Sequence, residues 1–119
     1  MQRFRQLADA LRELGAVDVA VTDPAHAITV PADSDIVVVA TPLDDTASLT
    51  ALRADLVVVE CRLATQPTPL AGLVAASGGC FVDGLEVRAT QAAIDFRSLM
   101  GAEADADLLR EALDEFLSA

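Results

Sequence analysis

Lysine, tyrosine and tryptophan are missing from the 119 residues. The eight cationic side chains are therefore all arginines, and chemistry that needs a lysine base or a lysine Schiff base within this chain is excluded. Histidine occurs once, at His26, with no cysteine or acid at ligand spacing, so no metal centre is expected and a solvated loop residue is. The two cysteines, Cys61 and Cys80, are too few for a disulfide framework. Their apolar sequence neighbours predict buried, reduced thiols in a cytoplasmic protein. No apolar run approaches the roughly 20 residues of a membrane span, and Met-Gln-Arg-Phe-Arg leads into a mixed pattern rather than a signal-peptide core. Positive charge is scarce too. Eight cations against 19 acids give a net charge of −11, which repels nucleic acid, anionic lipid and, unless local donors intervene, a phosphate-rich cofactor.

What remains is 53% hydrophobic, with charge scattered along the chain, and predicts one folded unit over residues 1–119. Helical and strand periods alternate, which predicts an α/β layered domain. Phe4, Leu7, Leu11 and Leu14 recur at spacings of three and four, and Gly15 stops that helix. Val17, Val19 and Val21 alternate as a strand ending near Thr22. A second strand spans Asp35–Ala40, a short helix falls at Ala47–Arg53, and a third strand spans Asp55–Glu60. Thr68-Pro69 reads as an N-cap followed by a first-turn proline, opening a helix that ends at Gly78-Gly79. Cys80–Val82 is a short fourth strand. A long helix runs from about Glu86 to Met100. The last helix opens with Glu103, Asp105 and Asp107 and carries the stripe Leu109, Ala112, Leu113, Phe116 and Leu117. The Met and Phe positions of the chain read as core. Three of the strands are nearly uniform runs of valine, isoleucine and leucine, the pattern of parallel strands buried on both faces.

Such domains bind ligands at the carboxyl ends of their strands, usually with a glycine-rich turn that holds a pyrophosphate. The six glycines, at 15, 72, 78, 79, 84 and 101, do not form that turn. Asp23, after the Val17–Thr22 segment, stands where an acid would meet a ribose hydroxyl, or is a turn former ahead of Pro24. Thr41 and Gly84 lie at strand ends where a cofactor would sit, and both also suit turns. Arg62 and Arg88 are candidate anion partners, or arginines lying over apolar surface. Asp44, Asp45 and the acids of 103–107 are better explained by helix N-termini than by metal.

The run Val82-Asp-Gly-Leu-Glu-Val-Arg-Ala-Thr-Gln91-Ala-Ala, with Phe96 and Gly101 after it, resembles a segment of the nucleotide-binding domain of shikimate dehydrogenases. Asp35–Leu43, ending Ala-Thr-Pro-Leu, and Thr68-Pro69-Leu70 ahead of Gly-Gly agree in order and spacing, so the resemblance covers residues 35–118. It implies an incomplete Rossmann-like three-layer sandwich with a mostly parallel sheet of about four strands. It also implies NADP as the family's cofactor and a shikimate-like small molecule as a possible ligand. Gln91 falls where the family's glutamine contacts substrate; otherwise it satisfies a nearby backbone group on its helix. Relative to the family, Met1 falls within the glycine-rich loop. The first strand, the substrate domain and the catalytic Lys–Asp pair are not in this sequence, and no catalytic residue is assigned. The family's tyrosine, methionine and asparagine correspond to Leu63, Val87 and Val39. The expectation is a chain that does not catalyse alone and serves as a binding or interaction domain. The alternative is the nucleotide-binding part of a split enzyme. The missing central strand would be resolved by Val17–Val21 moving to pair with Ile36–Ala40, by a second copy of the chain, or by a separate partner.

Overall fold

The structure, a computed structural model, describes residues 2–16, 18–20, 28–40 and 49–119. In chain order the elements are α1 (Gln2–Glu13), β1 (Ile28–Thr29), β2 (Ile36–Val39), β3 (Leu49–Thr50), β4 (Val57–Glu60), α2 (Pro69–Ser77), β5 (Cys80–Val82), α3 (Gly84–Met100) and α4 (Ala106–Ser118). β2, β4 and β5 form a parallel sheet in the order β2-β4-β5, with Val37 opposite Val58 and Val58 opposite Phe81. β1 and β3 form a separate parallel pair, Ile28 opposite Leu49. Both sheets share one core, in which Val30 and Leu49 meet Val39, Leu56, Val58, Leu70 and Val74.

The helix ends follow local chemistry. The Thr68 hydroxyl accepts the Ala71 N–H at 3.3 Å, Pro69 opens α2, and Gly78 ends it at φ +78°. Asp83 caps α3 by accepting the Glu86 N–H at 2.9 Å, Gly101 stops it, and Asp105 caps α4. α3 buries only Gly84, Leu85 and Ala89; beyond that point it packs along α4 rather than on the sheet.

Several sequence expectations change. Residues 18–20 form no strand; Arg12 Nη2 instead donates to the Val19 carbonyl at 2.8 Å, while Val17, Val21 and Thr22 lie outside the described residues. Among the described residues β2 is paired only with β4, so the proposed pairing of Val17–Val21 with Ile36–Ala40 is not seen. Of the short helix expected at Ala47–Arg53, residues 47 and 48 lie outside the described residues, and over 49–53 it gives way to β3, because Leu49 is drawn into the shared core and Ala51 turns the chain at φ +63°. β2 is not buried on both faces: Ile36 and Val38 are 62% and 60% exposed, because no described helix lies over that side. Cys61 is half-buried and Cys80 exposed, since β5 is an edge strand. Phe96, Met100 and Phe116 are exposed rather than core, as the α3–α4 hairpin projects past the sheet.

Candidate functional site

The carboxyl ends of β4 and β5, the loop that follows β4 and the first turns of α2 and α3 enclose a cleft of about 290 Å³, closed on one side by α4. Glu60, Arg62, Thr68, Phe81, Asp83 and Arg110 line it. A shallower depression over residues 62–69 and Leu117 adjoins it.

Each group arrives there for a local reason. Glu60 is the last residue of β4 and shares a face with buried Val58, so the strand alternation carries its side chain inward to 6% exposure. Asp83 follows β5 as the α3 cap. Arg110 reaches back from α4 and grips it with two bonds, Nη1 to Oδ1 and Nη2 to Oδ2, each 2.6 Å, and a third to Glu86 Oε2 at 3.3 Å. The arginine's hydrogen bonds hold the Asp83 carboxyl below its ordinary value, against partial desolvation and with help from the Glu86 N–H. The Asp83 pair in turn raises the Arg110 guanidinium. This fork ties α4 to the β5–α3 junction.

Gly84 sits behind that junction. A Cβ there would lie 2.2 Å from the Arg62 carbonyl oxygen and 3.0 Å from that of Cys61, so its hydrogen lets α3 dock on the end of β4. Gln91 is exposed on α3, two turns along, and does not line the cleft. Thr41 and Asp23, with His26, Asp44 and Asp45, lie outside the described residues. Arg62 lines the cleft and Arg88 is exposed on α3. Val39 is core, Val87 is half-buried and Leu63 is exposed at the adjoining depression. Sequence reasoning missed Glu60, Asp83 and Arg110 as site residues. A carboxylate ending a valine run in phase with a buried position was the available signal for Glu60; nothing in the sequence joins Asp83 to a residue 27 positions away.

No protein-family model matches the sequence, and no curated protein does. Among solved structures, the ligand-free form of 5-ketofructose reductase of Gluconobacter sp. strain CHM43 superposes with a TM-score of 0.65 at 18% identity. The match covers 77% of this chain and 36% of that one. The chain thus spans about a third of that reductase, and the likeness establishes the fold: α/β, an incomplete Rossmann-like arrangement with parallel strands.

Such folds are built around a dinucleotide whose phosphates rest on backbone N–H groups at a helix N-terminus. The described residues do not fit one. The amino end of α3 is taken by the Asp83 carboxylate, with Glu86 in the first turn. Gly78 and Gly101 end helices, Gly79 faces the Arg53 and Leu56 carbonyls at the opposite end of the sheet, and Gly84 is spent on packing. Among the described residues the cleft's one cation outside an ion pair is Arg62. Among the same residues no group of three His, Cys, Asp or Glu could hold a metal, and no helix is long and apolar enough to cross a membrane.

Proposed function

We propose that the chain is a shikimate dehydrogenase-like, Rossmann-like domain that does not transfer hydride by itself and acts as a binding or interaction module. The observation that carries this reading is the state of the rim: Asp83 and Arg110 neutralise each other at the amino end of α3, and Glu60 adds a buried carboxylate in the same cleft. Two supports stand beside it: the motif order over residues 35–118 and the absence of lysine. Mixing the purified chain with shikimate and either NADP or NAD is expected to give no change in nicotinamide absorbance. Steady turnover by this chain alone would overturn the reading.

A second reading, that of a part needing a partner, is favoured by the exposed surface. Ile36 and Val38 on β2, and Leu99, Met100 and Phe116 on the α3–α4 hairpin, are part of that surface. The partner is either a second copy or a separately supplied substrate domain. Sedimentation at increasing concentration distinguishes them: a dimer supports the second copy. A strict monomer that gains hydride transfer on mixing with an isolated substrate domain supports the split enzyme, and a strict monomer without that gain removes both.

A further inference from the structure

We infer that the cleft at the ends of β4 and β5 is a site for a small organic cation, an amine, amidine or guanidine on an apolar body. The inference rests on reading this rim as a binding site rather than a hydride-transfer site. Its basis is Glu60. The residue is 6% exposed, and it lines the cleft. Among the described residues its carboxylate has no ion-pair or hydrogen-bond partner, yet no buried side-chain oxygen is sealed off without one, so its oxygens open into the cleft. A carboxylate that opens into a cleft with no donor from the described residues is a ready partner for a cation.

The surrounding groups set the sign and shape of the ligand. Five charged side chains line the cleft: Glu60, Asp83 and Asp114 against Arg62 and Arg110. Arg110 is held by Asp83 and Glu86 and also feels Asp114, which leaves Arg62 as the cleft's one cation outside an ion pair among the described residues. The balance is negative, and an anion would be repelled. At the amino end of α2, which also lines the cleft, Thr68 already takes the Ala71 N–H. Phe81, Leu85 and Ala71 form apolar walls, and a volume of about 290 Å³ admits a ligand of a single ring. A planar amidinium can meet a carboxylate with two parallel hydrogen bonds.

Benzamidine, with benzamide and benzoate as its neutral and anionic counterparts, is the probe, read by amide chemical shifts of the full chain. Benzamidine is expected to move the amides of residues 60–68 and 81–85, and the other two are not. Glu60→Gln, of the same shape, should bind benzamidine about tenfold or more weakly, the loss of one charge-assisted pair. Equal shifts from benzamide or benzoate, shifts confined to other residues, or undiminished binding by a folded Glu60→Gln variant would each overturn the inference. Should that variant not fold, the three-probe comparison on the unaltered chain decides the matter. A parallel NADP titration separates the two levels: NADP binding at the same amides removes the underlying reading as well, whereas failure of benzamidine with no NADP binding removes only the cation.

Discussion

Gly84 and Gly72 are both helical glycines, and the same substitution should move stability in opposite directions. At Gly84 an added methyl carbon would stand 2.2 Å from the Arg62 carbonyl oxygen and 2.6 Å from its carbon, against an ordinary contact of 3.4 Å or more. The obstacle is backbone, fixed by β4 on one side and by the Asp83 cap and Arg110 fork on the other, so no flexible side chain can swing away. Relief requires α3 to lift off the end of β4 by roughly an ångström. Overpacking of this kind costs about 1–3 kcal/mol, and the contact with backbone places it at the upper end. Alanine's better helix propensity returns less than about 1 kcal/mol in a first turn. Gly84→Ala should therefore lose about 2 kcal/mol, which lowers a urea midpoint by about 1–2 M. Gly72, on α2, has nothing within 4 Å of its would-be Cβ and is exposed, so Gly72→Ala should gain about 0.5–1 kcal/mol. Urea melts of both variants beside the parent chain, with equal slopes, are the assay. A Gly84→Ala midpoint equal to the parent's, or a Gly72→Ala loss as large as that at Gly84, would refute the docking argument.

Asp83→Asn keeps an N-cap acceptor but removes the charge facing Arg110. With both partners about a third exposed, the loss should be about 1 kcal/mol or less near neutral pH. Because the Asp83 carboxyl titrates below its ordinary value in the fold, its contribution is present above about pH 4 and fades as pH falls further. Acid titration of stability should accordingly be shallower for Asp83→Asn than for the parent, and identical slopes would count against the pair. Leu56→Ala, at 1% exposure in the shared core, should cost about 2–5 kcal/mol in the same denaturation assay. Val38→Lys puts a charge on the exposed face of β2 and should change the stability of the isolated chain by less than about 0.5 kcal/mol. If a second copy pairs with β2, it should also abolish the dimer in sedimentation.

Periodic apolar spacing and helix-end residues are properties of neighbouring positions, and they made β2, β4, β5 and all four helices legible to within a few residues. Thr68-Pro69, Asp83-Gly84 and the stop glycines act through bonds that reach only three or four positions, so the sequence shows them directly. Three motifs in register also made the parallel Rossmann-like class readable. Long-range contacts decided the rest. Val37-Val38-Val39 reads as a two-sided buried strand, yet which faces are covered depends on where helices of the whole chain come to lie, and Val38 is left open. Leu49–Thr50 is a strand because Ile28–Thr29 lies beside it, more than twenty residues earlier. The cleft is wholly of this kind. Glu60, Asp83 and Arg110 come from three different elements, and only the packing of α4 across the β5–α3 junction turns them into one site with one sign of charge left over.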